Sequence, residues 1–176
     1  IPGSLGGAVV MNAGAYGGEM KDILQKVTVL TPDGTVQTLS VEELELSYRH
    51  SIIPEKGYLV ISAVLKLQPG NADEIQSIMD DLKEKRVSKQ PLEYPSAGST
   101  FKRPEGYFAG KLIQDAGLRG FRVGGAQVSE KHCGFIINRD QATSTDICQL
   151  MQQVSEIVYE KFGVRLEPEV KKIGEF

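Results

Sequence analysis

Cysteine and histidine are scarce in this chain, which holds only Cys133, Cys148, His50 and His132. The two cysteines have no CxxC spacing, so the set does not amount to a structural zinc site and no metal is expected. Both read as reduced thiols of a cytoplasmic protein. Long apolar runs are also missing. None approaches the roughly 20 residues of a membrane span, and the N-terminus lacks the basic, apolar, small-residue order of a signal peptide. The expectation is a soluble, unsecreted chain with no membrane partner. Excess positive charge is absent, since 20 basic residues face 23 acidic ones for a net charge of -3. Non-specific binding of a nucleic-acid backbone is therefore not expected. A leading methionine is missing too. Ile1 enters directly into a glycine-rich stretch, where most domains begin with a disposable tail, and this suggests a missing upstream part.

The 176 residues with 40% hydrophobic content can bury a real core, as one ordinary domain or two small lobes. Much of the chemistry-bearing composition gathers in Pro95-Ser96-Ala97-Gly98-Ser99-Thr100-Phe101-Lys102-Arg103-Pro104. Small residues leading into a hydroxyl pair and two cations let backbone amides and Ser99 approach a ligand closely. An ordinary turn uses the same residues. A second such stretch, residues 1–18, has glycine at 3, 6, 7, 14, 17 and 18. Ser4 can cap a short helix through Ala8 to Ala13 and present its amides to an anion. The G-x-G-x-x-G spacing of a Rossmann turn is absent, and tight helix packing explains the glycines equally well.

Between these stretches, Val27 and Val29 against Val36 and Leu39 around Thr31-Pro32-Asp33-Gly34 predict a β-hairpin. Ser40 with Glu43 has the capping-box form and predicts a short helix ending near Leu46. Ser47-Tyr48-Arg49-His50-Ser51 follows, where Arg49 can clamp a carboxylate or phosphate or form a surface salt bridge; His50 reads as a bystander. Tyr58 to Leu67 predicts an apolar strand. Residues 71–89 place Ile75, Ile78, Met79 and Leu82 at helical spacing, with a basic end at Lys83, Lys85, Arg86 and Lys89 that reads as a solvated face or as charge lent to the next stretch. Further on, the spacing predicts a helix from Tyr107 to Leu118 with Phe108, Leu112 and Ile113 on its apolar face, and strands at 122–128 and 134–138. A helix opening at Ser144 or Thr145 and stopping at Gly163 comes next, then a last strand at 166–170 with Pro168 marking an edge or bulge.

Ile-Pro-Gly-Ser-Leu-Gly-Gly-Ala (1–8), Asn-Ala-Gly-Ala-Tyr-Gly (12–17), Tyr-Arg-His-Ser (48–51), Gly-Ser-Thr-Phe-Lys-Arg-Pro (98–104) and Leu-Glu-Pro-Glu-Val (166–170) form an ordered set. In that order and spacing the chain closely resembles the UDP-N-acetylenolpyruvoylglucosamine reductase family of bacterial cell-wall synthesis, in its shorter subtype. The resemblance implies an α+β fold: the C-terminal part of a PCMH-type FAD-binding domain, then an α+β substrate-binding domain. The boundaries expected are 1–68 for the partial FAD-binding domain, 69–90 for a linking helix and 91–176 for the UDP-sugar domain.

It implies an NADPH- and FAD-dependent dehydrogenase that converts UDP-N-acetylglucosamine enolpyruvate to UDP-N-acetylmuramate, monomeric at full length. The catalytic positions it implies are Ser99, which protonates the substrate carbon, with Arg49 and Glu169 around the substrate carboxylate and the enolate that develops from it. Charge developing on the carboxylate side is what a guanidinium stabilises. A serine can protonate so strong a base when the site holds its hydroxyl in place. Gly3, Ser4, Gly6, Gly7 and Asn12 fall near FAD, and Tyr48, Lys89, Lys102 and Arg103 on the substrate side.

Family members carry a further N-terminal lobe with the start of the flavin site, which this sequence does not contain. Weak activity is therefore expected of the chain by itself. Two other readings stay in view: a different flavin oxidase of the same FAD-domain type, though no His or Cys for covalent flavin lies in the first 49 residues, and a non-catalytic sugar-nucleotide-binding module.

Overall fold

Ser4 begins the first regular element. Its backbone is extended and its side chain accepts the Gly7 N–H, which caps helix α1 (Leu5–Val10) and satisfies an amide left over at the helix start. The Ser4 cap is as expected, and the helix ends at Val10, three residues before Ala13, because Asn12 turns left-handed at φ 41°. The computed structural model describes residues 3–174; Ile1 and Pro2, which open the first family motif, lie outside the described residues. The chain divides into two units, 1–71 and 72–176.

In the first unit, α1 leads to a small hairpin of β1 (Gly14–Ala15) and β2 (Gly18–Glu19). The main sheet has β3 (Leu24–Leu30) at its centre, with β4 (Val36–Ser40) and β5 (Leu59–Leu65) antiparallel on either side. The β3–β4 turn falls at Thr31-Pro32-Asp33-Gly34, where Asp33 accepts from the Thr31 and Thr35 hydroxyls. Val9, Leu24, Val27, Val29, Leu44 and Ile53 form the core. On β5 only Val60 and Ala63 pack against that core, while Leu59 and Ile61 face solvent. The capping box at Ser40 and Glu43 forms both of its hydrogen bonds, yet no helix follows. Glu45 takes φ 50° and closes a single turn instead.

The second unit begins with α2 (Ala72–Lys89), then β6 (Ser96–Ser99), α3 (Ala109–Asp115), β7 (Arg122–Val123), β8 (Ala126–Val128), β9 (Phe135–Asn138) and α4 (Ser144–Phe162). The strands form an antiparallel sheet in the order β6-β9-β8-β7. Leu112 and Ile113 of α3, Val128 and Ile136 of the sheet, and Leu150, Val154 and Val158 of α4 make one core. The cap of α4 is Thr143, one residue before the expected start, in a reciprocal box with Asp146. Its stop at Gly163 is as expected, in left-handed conformation at φ 70°.

Several expectations are corrected. Residues 122–128 are a tight β7–β8 hairpin rather than one strand. Helix α3 is shorter than 107–118, and Phe108 precedes it as an exposed N-cap instead of lying on its apolar face. No residue of α2 is buried, and Ile75, Ile78 and Met79 stand in solvent. At its far end Lys131 Nζ donates to the Val87 carbonyl at 2.9 Å and pairs with Glu93, past the helix, at 3.6 Å. The last strand reduces to a bridge between Phe101 and Pro168 flanked by single backbone bonds, as a residue without an N–H requires.

Leu150 is fully buried at the centre of this core. Truncation to Ala is expected to cost about 2–5 kcal/mol, read by calorimetric or denaturant unfolding; a cost under about 0.5 kcal/mol would contradict the packing.

Candidate active site

The glycine-rich stretch of the first unit is held by two buried polar side chains. Asn12, 1% exposed, donates through Nδ2 to Glu19 at 2.7 Å and to the Ser47 carbonyl at 3.0 Å, and its Oδ1 accepts the Lys21 N–H at 2.9 Å. Ser51, equally buried, donates to the Val10 carbonyl at 2.6 Å. Together they tie both ends of residues 47–51 to the end of α1 and the loop after it. Glu19 is kept below its ordinary carboxylate range by Lys21 first and by the Asn12 amide second. The Asn12 side chain is thus committed to the scaffold.

Tyr48 and Arg49 occupy the tip of a two-residue turn closed by reciprocal backbone bonds between Ser47 and His50. Arg49 has φ 55°, a conformation costly for a side chain other than glycine, asparagine or aspartate. Its guanidinium stacks on the Tyr48 ring at 5.0 Å and reaches the Gly14 carbonyl at 3.4 Å. The turn thereby links the cation to the glycine-rich stretch.

Around that stretch the backbone is open. A Cβ on Gly3 would meet nothing within 4 Å, and one on Gly7 would meet Ser4 Oγ at 3.1 Å. Gly3, Ser4 and Gly7 are exposed, so a flat or phosphorylated group can approach the chain without displacing a side chain. These residues fit a bound cofactor.

In the second unit, Ser99 is the exposed last residue of β6, opposite Phe135 of β9. Gly98 precedes it at φ 88°, and the register shifts between Ser96 and Ser99. The bulge therefore falls on Ala97 and Gly98, and Ser99 resumes the ladder as its exposed end. Glu169 is brought to the same place by backbone bonding: its N–H donates to the Thr100 carbonyl at 2.9 Å, and the Lys102 N–H donates to the Glu167 carbonyl at 2.8 Å. Ser99, Lys102, Arg103 and Glu169 therefore belong to two paired segments.

The Lys102 ammonium is ion-paired with Glu167. Arg103 lies over the Phe108 ring at 4.0 Å and donates to the Tyr107 carbonyl at 3.3 Å. Lys89 is exposed in the last turn of α2, and no hydrogen bond ties it to Ser99. A groove of about 570 Å³ between α4 and residues 166–172 is lined by Thr145, Cys148, Gln152, Leu166, Pro168 and Lys172 among others. None of the candidate residues lines it.

Two positions that matter here carried no sequence signal as site residues. Thr100 is 3% exposed and bonded on three sides, as described below. His132 closes the β8–β9 connection by accepting the Gly134 N–H on Nδ1 at 3.1 Å, with its ring edge-on to Phe135 at 5.0 Å. A Cβ on Gly134 would lie 3.0 Å from that ring, so a larger residue would press the imidazole aside. Burial pushes the Cys133 thiol up, which leaves it unreactive.

Residues 90–173 match the family model described as UDP-N-acetylenolpyruvoylglucosamine reductase, C-terminal domain, and residues 1–40 match one described as FAD binding domain. UDP-N-acetylenolpyruvoylglucosamine reductase from Agathobacter rectalis is 68% identical over the whole chain, and that from Clostridioides difficile is 59% identical over 99% of it. The crystal structure of UDP-N-acetylenolpyruvylglucosamine reductase (MurB) from Thermus caldophilus aligns with 96% of the chain at 40% identity and a TM-score of 0.82. Over its whole length the chain is similar to members of the UDP-N-acetylenolpyruvoylglucosamine reductase family. It spans 56% of the Agathobacter rectalis protein and 60% of the Thermus caldophilus chain. The α+β class expected from the family motifs is the fold found.

Burial pushes the His132 imidazole below its ordinary value of 6.5, and its Nδ1 accepts the Gly134 N–H only while unprotonated. The unfolded chain then binds the proton more readily than the folded one. The resulting stability is complete above pH 6.5 and is lost as the pH falls from there through the depressed folded value. The melting temperature of the second unit is expected to fall as the pH drops below about 6.5, and His132→Gln to flatten that fall. An equally steep fall in the variant would show that another group causes it.

Proposed function

We propose that this chain carries the substrate-reducing chemistry of that reductase family: reduction of UDP-N-acetylglucosamine enolpyruvate to UDP-N-acetylmuramate in the cytoplasm, with NADPH as reductant. The observation that carries the reading is the exposed Ser99, at the end of the bulged β6, on a segment hydrogen-bonded to the one that bears Glu169. In this reading residues 1–68 are part of an FAD-binding domain and residues 91–176 bind the UDP-sugar. FAD, when bound, supplies the hydride. Gly3, Ser4, Gly6 and Gly7 would hold it through their open backbone, with Asn12 fixing the loop behind them.

Hydride addition to the enolpyruvyl group leaves negative charge shared between the adjacent carbon and the carboxylate. Ser99 gives its proton to that carbon. A hydroxyl is a weak acid in water, but a carbanion is a far stronger base than a carboxylate, so transfer runs downhill once Oγ is held against the carbon. Arg49 is assigned the carboxylate, where a planar guanidinium can form two parallel hydrogen bonds. Glu169 is assigned the developing enolate, which it can approach only as a protonated, hydrogen-bond-donating carboxyl. Tyr48, Lys89, Lys102 and Arg103 are assigned the UDP-sugar. For Lys102 this requires exchange of the Glu167 carboxylate for a ligand phosphate.

Calorimetric titration of the chain with the enolpyruvyl UDP-sugar is expected to show binding that Lys102→Ala and Arg103→Ala each weaken roughly tenfold; no binding would sink the substrate assignment. For catalysis, the chain is joined to the remainder of the Agathobacter rectalis relative. There Ser99→Ala is expected to retain UDP-sugar affinity and lose about 10²–10⁴-fold in product formation, and unchanged turnover would end the proton-donor role. Arg49→Gly relieves the left-handed strain, so the melting temperature should hold or rise while the Michaelis constant for the UDP-sugar rises. A drop in melting temperature would mean the turn depends on the arginine for its structure.

A further inference from the structure

We infer that Thr100 is the positioning residue that sets Ser99 and Glu169 relative to one another; the inference rests on the roles just given to those two residues. Thr100 is 3% exposed and sits at the junction of three segments. Its N–H donates to the Gly134 carbonyl at 2.8 Å, its carbonyl accepts the Glu169 N–H at 2.9 Å, and its Oγ1 accepts the Ile136 N–H at 2.9 Å. Ser99 is one covalent step from it and Glu169 one hydrogen bond.

The side-chain bond is the informative one. In an antiparallel pair the ladder amides are bonded backbone to backbone, but the shift between Ser96 and Ser99 interrupts that pattern on β6. A bulge leaves backbone groups without their ladder partners, and the Ile136 amide is buried, where an unpaired donor is costly. Thr100 Oγ1 supplies an acceptor for that amide where the pairing is interrupted. β6 therefore stays pinned to β9 just past the bulge, where Ser99 ends the strand exposed. Through the Thr100 carbonyl, the segment bearing Glu169 is fixed to the same point. Removing the hydroxyl alone should loosen both candidate groups together, with no change in side-chain shape when valine replaces threonine.

The test compares Thr100→Val with Thr100→Ser, which keeps the acceptor, and with Thr100→Cys, a weaker acceptor that serves if the valine variant does not fold. Calorimetry with UDP-N-acetylglucosamine enolpyruvate is expected to show roughly a tenfold loss for valine, the scale of one buried donor left unpaired, with an intermediate loss for cysteine and recovery for serine. Binding of UDP-N-acetylglucosamine, which lacks the enolpyruvyl group, should stay unchanged. Amide exchange at Ile136 and Glu169 should accelerate in the valine and cysteine variants while Leu150 exchanges as before. Equal weakening of both sugars, or unchanged exchange at Ile136 and Glu169, overturns the inference. If the unsubstituted chain binds neither sugar, the substrate reading fails, and the exchange pattern alone then decides whether Thr100 holds the two segments.

Discussion

A buried backbone group must find a hydrogen-bond partner, and in this protein the segments that carry the chemistry have too little regular structure to supply it themselves. Polar side chains do so instead. Asn12 and Ser51 bind the carbonyls of Ser47 and Val10, Thr100 binds the Ile136 amide, and Ser129 accepts the amides of Lys131 and His132. All four are buried, and no buried side-chain nitrogen or oxygen among the described residues lacks a partner. Small polar side chains at these points make irregular backbone compatible with a packed interior. That compatibility is what allows a glycine-rich loop and a bulged strand to hold fixed positions.

Fixed positions in turn make local strain tolerable. Arg49 at φ 55° and Gly98 at φ 88° both lie beside such anchors: Arg49 between Ser47, bound by Asn12, and Ser51, bound to Val10; Gly98 two residues before Thr100. A strained residue in a loose loop would relax. Here the bonds on either side over-determine the backbone, so the side chain is aimed by the fold instead of by its own preference. At Gly98 the residue type removes the cost, whereas at Arg49 the cost is retained.

Much of this was legible in the sequence, and the failures have a common cause. Val27, Val29, Val36 and Leu39 marked their strands because alternation is local, and Gly163 marked the end of α4 because a left-handed stop is a one-residue signal. The Ser40–Glu43 box formed its bonds but no helix, since a cap satisfies a start without supplying the apolar face that sustains a helix. Helix α2 had the reverse fault: its apolar spacing is present, yet Ile75, Ile78 and Met79 are exposed, because periodicity says which side chains share a face and not what covers it. Ser99, Lys102 and Arg103 could be proposed from their own segment. Their pairing with Glu169 came only through the family resemblance, since it depends on backbone bonds between residues far apart in sequence. Thr100 was missed for a related reason: read along the chain it is one hydroxyl of a pair, and only the interrupted β6–β9 register gives its side chain a backbone amide to bind.

The demands that the proposed proton-donor role places on Ser99 make that missed residue matter most. A histidine or carboxylic acid near its working pH tolerates some misplacement, because its proton is easily released. A serine hydroxyl has no such margin, and its competence comes from geometry: the proton must already face the carbon when charge arrives there. An exposed residue at the end of a strand is a poor place to find such rigidity, yet exposure is needed for the substrate to reach it. In the proposed site, Gly98 in the bulge and Thr100 on the Ile136 amide stand one residue on each side of the hydroxyl that needs both exposure and rigidity.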